Sequence, residues 1–244
     1  AASDVYKRQQ RRLCMRVFSS DKKGSEETLR SLPVPARLDA ALSDAFRTRR
    51  SNYEFSDDPI NDKDLSTILW AADGRLAKKD DLRTTPSVLQ KHCVSIYVVK
   101  SNGVWLWDNT RRALVFLIDK DCRKDVCLTD PLIENAPVHL IYVANPIETH
   151  RSAVDTLKRL FRVKSKESDP ALRDFFKTYG PAVEIGAKVE AVYLACAALS
   201  IRCLARMSFD PKAVRKALHL TAGQRPLCAQ TLGYKPTSLF NIAL

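Results

Sequence analysis

The chain has 244 residues, of which 45% are hydrophobic, and this is enough for one globular domain with a sizeable core. Its 40 lysines and arginines outnumber its 28 aspartates and glutamates, and the net charge of +12 favours an anionic partner such as a cofactor phosphate, a nucleic acid or an acidic surface. No apolar run approaches the ~20 residues that a bilayer-spanning helix needs, so we predict no membrane span and expect a soluble protein.

Residues 1–35 are predicted to be an extension and a linker outside the folded domain. The stretch RQQRRLCMRVFSS is rich in arginine and nearly free of acidic residues, as mitochondrial transit peptides are. An equally good interpretation is that Met15 is the true start and that the residues before it are a translated leader. The expected location is therefore cytoplasmic, or mitochondrial if this segment is a transit peptide.

The folded domain is predicted to span residues 36–244 and to begin with two amphipathic helices. Residues 38–50 carry apolar side chains at 38, 41, 42, 45 and 46, the spacing of a helix that faces a core. The stretch INDKDLSTILWAAD repeats this pattern, with Asn61 or Asp62 as the N-cap. Its predicted buried face consists of Leu65, Ile68, Leu69 and Ala72.

Three strands joined by tight hairpins are predicted next. The stretch HCVSIYVVKSNGVWLWDNTRRALVFLI combines β-branched and aromatic runs with the turns SNG and DNT. We expect Trp105 and Trp107 to point to opposite faces of the sheet. The stretch APVHLIYVANP is almost continuously apolar, which is typical of a strand at the centre of a sheet. The basic segment at residues 151–178 is predicted to be an insertion that serves as a lid, a dimer arm or a partner surface.

The last third of the domain predicts a buried helix and a return to strands. The stretch EIGAKVEAVYLACAALSIR is apolar nearly all round after Glu190, which indicates a central buried helix. A short strand at residues 203–209, a helix opened by Asp210 and Pro211, and a final strand at residues 227–234 follow. The predicted fold class is α+β, with a mostly antiparallel sheet flanked by helices.

The cysteines and histidines give no metal site. Seven cysteines are scattered along the chain without a C-x-x-C pair, and none of the four histidines completes a zinc cluster. Most of the cysteines lie in or beside apolar runs, where a free thiol behaves as a small hydrophobic group. We therefore predict reduced core cysteines, a reducing compartment and no metal.

The stretch RTRRSNYEF places three arginines directly before Ser51. One interpretation is a basic helix end, where cations complement the partial negative charge of the helix dipole. The other is a phosphate site. The seven glycines form neither a G-x-G-x-x-G nor a G-x-x-x-x-G-K pattern, so any phosphate must be held by side chains. This favours a phosphate site at Arg49, Arg50 and Ser51.

Four stretches resemble, in order and spacing, the blocks of the nitroreductase superfamily over residues 40–236, and within it the thiazoline-oxidase-like branch. They are RRSNYEFSDDPINDKDLSTILWAADG, RTTPSVLQKHCVSIYVV, EIGAKVEAVYLACAALSI and PLCAQTLGYKP. The resemblance implies an FMN-dependent oxidoreductase, normally a homodimer with the flavin at the subunit interface. It also implies that NAD(P)H is the electron donor and that quinones, nitro compounds or related small molecules are the acceptors. No catalytic side chain is expected, because the flavin supplies the redox chemistry.

The resemblance also implies where a flavin would be held. Arg49, Arg50 and Ser51 match the family's phosphate and ribityl contacts, and Lys235 is a second phosphate candidate. Lys235 is equally well explained as an exposed strand end.

The other site residues implied by the resemblance lie beside the flavin ring. Pro86, Ser87 and Val88 match a turn next to the isoalloxazine, and Gln90 stands where many members have a ring-bonding asparagine. Arg206 lies in the strand whose backbone usually approaches the N5 edge of the flavin. By turn and cap preferences alone, Ser87 is equally a helix cap and Gln90 a surface amide.

Some positions depart from the family pattern. Tyr53 replaces an arginine, and Glu190 and Ala191 replace a common Gln-Asn pair. Two other function classes therefore stay open: a catalytically silent member that acts as a binding module, and a basic protein that binds nucleic acid or a membrane surface. Nucleic acid is the less favoured partner, because the sequence contains no aromatic or helical binding module for it.

Overall fold

The computed structural model of the chain describes residues 28–76, 82–87, 92–127, 131–146 and 170–237. Within these ranges seven strands form one sheet in the order β1-β4-β3-β2-β5-β7-β6, and all neighbouring strands are antiparallel. The strands are β1 (Leu29–Ser31), β2 (Val94–Lys100), β3 (Gly103–Asp108), β4 (Ala113–Ile118), β5 (Val138–Ala144), β6 (Arg202–Arg206) and β7 (Arg225–Gly233). The helices are α1 (Leu42–Thr48), α2 (Asp62–Asp73), α3 (Pro131–Glu134), α4 (Pro170–Ala198) and α5 (Pro211–Ala217), with a short 3-10 helix at Lys124–Val126. The expected α+β fold is confirmed.

Helices cover both faces of the sheet, and each face has its own core. On one face α2 packs against α4, and their apolar side chains meet those of the strands. On the other face α5 packs against β7 and the 3-10 helix, around Phe209, Val214 and Leu218. The sheet is therefore the middle layer of three, and α4 is the long helix of one outer layer.

The sequence pattern of α2 predicts the structure closely. The Oδ1 atom of Asn61 accepts a hydrogen bond of 2.9 Å from the backbone N of Asp64, which is the N-cap interaction expected of asparagine. The four predicted core residues of this helix, Leu65, Ile68, Leu69 and Ala72, are all completely buried. This confirms both the start of the helix and its buried face.

The predicted hairpins are also confirmed, but the prediction for the tryptophans was wrong. Strands β2, β3 and β4 are consecutive neighbours, as the SNG and DNT turns indicate. Trp105 and Trp107 are both buried in the core beneath α2 and α4. Residues two apart in a strand point to the same face, so these two side chains could not have pointed to opposite faces.

Helix α1 is shorter than predicted and its apolar stripe is largely uncovered. It begins at Leu42, not residue 38, and its N-cap Ala41 has no side chain that could accept a hydrogen bond. Ala45 is buried, whereas Leu42 is 64% exposed and Phe46 is 54% exposed. Only part of the predicted core-facing stripe thus meets the core of this chain.

Helix α4 is the buried central helix that the sequence predicts, with Val192 and Cys196 almost completely covered. It starts at Pro170, upstream of the predicted helix, so residues 170–178 of the basic segment form its first turns. Residues 151–169 lie outside the described residues. Pro181 has no N–H to donate to the Lys177 carbonyl, and this oxygen instead accepts a hydrogen bond of 3.0 Å from the Arg225 guanidinium.

The remaining elements differ from the predictions mainly at their ends. Strand β6 stops at Arg206, before the predicted end, and Asp210 caps α5 by accepting a hydrogen bond of 2.8 Å from the Lys212 backbone N. Strand β1 lies inside the expected N-terminal extension and pairs with β4, so the folded unit begins before residue 36. None of the described helices combines the length and apolar character needed to cross a membrane.

Candidate functional site

The basic stretch lies at the C-terminal end of α1. Arg47 is in the last turn, and the guanidinium of Arg50 donates hydrogen bonds of 2.7 Å to the backbone oxygens of Arg47 and Arg49. These carbonyls have no partner within the helix, so Arg50 satisfies them as a C-terminal cation does. The helix-end interpretation therefore accounts for the side chain of Arg50.

Arg49 and Ser51 have different surroundings from Arg50. The guanidinium carbon of Arg49 lies 5.1 Å from the ring centroid of Tyr193 on α4. Ser51 Oγ lies 3.0 Å from Tyr193 Oη, and the Ala205 backbone N on β6 donates to the same Oη at 2.7 Å. Tyr193 is thus the point at which the end of α1, helix α4 and the edge strand β6 meet.

The segment after Ser51 runs along the end of the sheet. Ser51 forms a parallel bridge with Cys203 on β6, and the Asn52 backbone N donates to the Cys203 oxygen at 2.9 Å. Further on, the Ser56 backbone N donates to the Tyr234 oxygen at 3.0 Å, just after β7. Lys235 follows at this point and is exposed. The basic turn and Lys235 therefore lie at opposite ends of one short segment that covers the ends of β6 and β7.

The predicted turn at residues 86–90 is described in part. Pro86 is exposed. Ser87 Oγ donates to Glu184 Oε2 on α4 at 2.8 Å and accepts a hydrogen bond of 2.7 Å from the His92 backbone N. Val88 and Gln90 lie outside the described residues. Ser87 is thus tied to the central helix, and its hydroxyl joins this turn to the core.

Arg206 is buried on the face of the sheet that carries the 3-10 helix. Its guanidinium donates to the Val126 backbone oxygen at 2.9 Å, to Thr231 Oγ1 at 3.2 Å and to Cys127 Sγ at 3.1 Å. This face is opposite to α4, Tyr193 and Ser51. The side chain of Arg206 therefore fixes β6 to the layer behind it and points away from the Tyr193 junction.

A buried ionic cluster lies beneath the 82–87 segment, and the sequence patterns did not reveal it. Asp73 at the end of α2 is bonded to Arg83 at 2.9 Å and to Lys188 Nζ at 2.6 Å. Glu184 Oε1 lies 3.5 Å from Lys188 Nζ. All four side chains are almost inaccessible to solvent. A lysine in an apolar helix and an aspartate at a helix end were the signals that could have indicated it.

Electrostatics within the cluster favour the charged form of Asp73. Burial alone would raise the pKa of Asp73, but the nearby Lys188 and Arg83 outweigh it, so the pKa lies below its ordinary value. Glu184 also accepts hydrogen bonds from Ser87 and from the Cys93 backbone N, the latter at 3.2 Å. Burial, and next the Glu184 carboxylate, raise the pKa of the Cys93 thiol. The cluster therefore holds the 82–87 segment against α4 and supplies no reactive thiol.

The described cysteines are free, and no group of histidine, cysteine and carboxylate side chains in the described ranges could hold a metal ion. The Nitroreductase family model matches residues 46–234, more than half of the chain.

The chain belongs to the nitroreductase family.

A curated protein of Methanocaldococcus jannaschii that is named as a nitroreductase is 25% identical over 213 residues, which cover 84% of this chain and 96% of the relative. A crystal structure described as a nitroreductase from Ralstonia eutropha JMP134 is also 25% identical, with a TM-score of 0.71, and the match covers 88% of this chain and 92% of that chain. A chain of the E. coli microcin synthetase complex has a TM-score of 0.62 at 12% identity over 90% of this chain and 80% of that chain, a likeness that shows the fold alone. Membership in the nitroreductase family supports an oxidoreductase activity.

The departures from the nitroreductase pattern fall on accessible positions. Tyr53 is 61% exposed, so it is not a core aromatic side chain of this chain. Glu190 is exposed on α4, and Ala191 beside it is half-buried. A cation at position 53 would therefore not be buried without a partner.

Proposed function

We propose that this nitroreductase-family chain is an FMN-dependent oxidoreductase that uses NAD(P)H to reduce quinone, nitro or related small-molecule acceptors. The observation that carries the proposal is the junction at Tyr193, where a guanidinium and a hydroxyl lie together on an accessible turn beside the sheet edge. Within the described ranges no carboxylate forms an ion pair with Arg49, so its charge is available to an anion. When bound, the flavin would accept a hydride from the nicotinamide and pass electrons to the acceptor.

The donors present fit one terminal phosphate. A guanidinium forms directional, charge-assisted hydrogen bonds to phosphate oxygens, and a serine hydroxyl adds a further donor. The sequence has no glycine-rich turn of the kind that cradles a pyrophosphate. This supports FMN over FAD. In this proposal Arg49 and Ser51 bind the phosphate or ribityl chain, with Lys235 as a second cation.

The remaining site residues take supporting roles in the proposal. Arg50 caps α1 and adds positive charge beside the turn. Pro86 and Ser87 border the ring, and the bond from Ser87 to Glu184 fixes Ser87 against α4. Val88 and Gln90, which lie outside the described residues, border the ring as well in this proposal. Arg206 holds β6 in place, so that the backbone of this strand borders the ring.

We also propose that the protein is a homodimer. Phe175, Tyr179 and Val183 follow one another at four-residue spacing along α4, and each is more than half exposed. Leu42 and Phe46 on α1, which packs against α4, are similarly exposed. Several exposed apolar side chains on two helices that pack together are typical of a subunit interface. Sedimentation of the protein and of a Phe46→Asp variant tests this, since the variant should sediment as a monomer; a wild-type monomer would contradict the proposal.

An absorbance spectrum tests the proposed activity. Protein reconstituted with FMN should show the visible absorbance bands of a flavin. Anaerobic addition of NADPH or NADH should bleach these bands. Adding a quinone should then restore the oxidised spectrum. A protein that binds FMN but is not bleached by either nucleotide would instead be a catalytically silent binding module.

A further inference from the structure

Tyr193 occupies a position in the candidate site that the sequence patterns did not indicate. It is 7% exposed, yet it contacts the accessible turn on one side and strand β6 on the other. Its neighbours on α4, Val192, Ala195 and Cys196, are apolar core residues. A tyrosine hydroxyl on this face therefore has to find its hydrogen-bond partners at the junction.

The directions of the hydrogen bonds at Tyr193 follow from the atoms involved. A backbone N–H can only donate, so Tyr193 Oη accepts the bond of 2.7 Å from Ala205. The hydroxyl of Tyr193 has one proton of its own. Among the described residues, the acceptor within reach of this proton is Ser51 Oγ at 3.0 Å. Either hydroxyl could donate in this pair, and a buried donor without an acceptor is costly, so donation from Tyr193 to Ser51 is the arrangement that satisfies both hydroxyls.

This direction determines what Ser51 can do. Its oxygen already accepts from Tyr193, and its own proton remains for a partner on the solvent side, where Ser51 is exposed. A chain of hydrogen bonds from Ala205 through Tyr193 to Ser51 also polarises each member in the same sense. The Ser51 hydroxyl is thus oriented to donate its proton to a ligand. An anionic ligand needs such a donor, because its oxygens accept hydrogen bonds.

The ring of Tyr193 acts on the second member of the site. The Arg49 guanidinium carbon lies 5.1 Å from the ring centroid, within the distance of a cation–π contact. This contact holds the cation beside Ser51. One side chain therefore positions both proposed phosphate ligands.

We propose that Tyr193 is a positioning residue of the FMN site, whose hydroxyl sets Ser51 as a hydrogen-bond donor to the phosphate or ribityl chain and whose ring holds Arg49 beside it. The proposal rests on the proposed function. It assigns to α4 a direct part in ordering the turn after α1, although the two segments are 142 residues apart in the sequence.

The test measures FMN affinity by quenching of flavin fluorescence for the wild type, Tyr193→Phe, Ser51→Ala and the double variant. Tyr193→Phe keeps the ring and removes the hydroxyl, and we expect about tenfold weaker binding, the loss of one well-formed hydrogen bond. Ser51→Ala should lose a similar factor. The double variant should lose no more than Ser51→Ala alone, because both single changes break the same chain of bonds.

Tyr142→Phe is the matched control, because Tyr142 is another buried tyrosine whose hydroxyl donates to Gln230 at 2.6 Å and not to Ser51. It should lower the melting temperature without changing FMN affinity.

If Tyr193→Phe does not fold, the variants Ser51→Thr and Ser51→Val decide the question. The threonine variant should retain FMN affinity within about threefold. The valine variant has the same shape as the threonine variant but no donor, and it should lose about tenfold.

The outcomes separate this inference from the proposed function. A wild-type protein that binds no FMN would overturn the proposed function itself. A wild type that binds FMN, with unchanged affinity in Tyr193→Phe or with losses in the two single variants that multiply in the double variant, would overturn the role of Tyr193 alone. Equal affinity of Ser51→Thr and Ser51→Val would do the same.

Discussion

Three arginines lie close together at the end of α1, and their surroundings give them different roles. Arg47 is exposed, Arg50 satisfies carbonyl oxygens of its own helix end, and Arg49 lies over the ring of Tyr193 next to Ser51. Charge alone does not distinguish them. Contact with the central helix does, and for this reason Arg49 is the phosphate ligand in the site that we propose.

Replacement of Arg49 by alanine should weaken FMN binding by about tenfold to a hundredfold. The physical reason is the loss of a charge-assisted hydrogen bond, worth about 1.5 to 3 kcal/mol. Arg47→Ala is the matched control, because it removes the same charge from an exposed position two residues away. It should change the affinity less than about threefold at physiological salt. Equal losses in the two variants, measured by fluorescence titration, would mean that only net charge matters.

Introducing an arginine at Tyr53 should tighten FMN binding. Tyr53 is 61% exposed, so the new cation remains hydrated and adds attraction to the phosphate beside Ser51. The gain should shrink as salt is raised, because part of it is screened Coulomb attraction. Titrations at low and high salt measure this. An unchanged affinity in a folded variant would show that residue 53 does not face the phosphate.

The helices and strands that the sequence predicts well are those in which local chemistry decides the structure. Asn61 caps α2 and four apolar residues at helical spacing form its buried face, all within one short stretch. The hairpins of β2, β3 and β4 likewise follow from their turns. Helix α1 was less predictable, because its apolar residues Leu42 and Phe46 do not meet the core of their own chain.

The candidate site depends on contacts that no local pattern contains. The arginines and Ser51 could be identified from the sequence, but the bond between Ser51 and Tyr193 joins residues 142 apart. The bond between Asp73 and Lys188 joins residues 115 apart. Such contacts are fixed by how α4 packs across the sheet. The sequence alone therefore gave candidate ligands, and the fold supplies the side chains that position them.

Removing the charge of Lys188 should destabilise the protein strongly. A Lys188→Met variant leaves the carboxylates of Asp73 and Glu184 buried without their shared cation, and breaking a buried pair in this way costs about 3 to 5 kcal/mol. Lys63→Met, on the exposed side of α2, should cost less than about 0.5 kcal/mol. Urea unfolding measures both. Similar small costs in the two variants would mean that the cluster is not charged as described.

The stability of the whole molecule should depend on pH in part through His139. This residue is completely buried in β5, and burial, with the nearby Arg206 and Arg123, lowers its pKa from 6.5 to about 3. Below pH 6.5 the unfolded chain binds a proton that the folded chain does not. The free energy of unfolding should therefore fall by about 1.4 kcal/mol per pH unit between pH 6 and 4 from this group alone.

Replacing His139 by glutamine should flatten this part of the pH profile, whatever it does to stability at neutral pH. His219 is exposed, and His219→Gln is the control for the loss of an imidazole elsewhere in the chain. Urea unfolding at a series of pH values gives the slopes. An unaltered slope in His139→Gln would indicate that His139 is protonated in the folded protein.

We propose that this nitroreductase-family chain, whose sequence has no glycine-rich phosphate loop, holds FMN through side chains at the end of α1. Chromatography of the flavin released by heat, after the protein has been incubated with equal amounts of FMN and FAD and then desalted, tests this most directly. We expect FMN, close to one per chain, and little FAD. Recovery of FAD, or of no flavin from the folded protein, would contradict it.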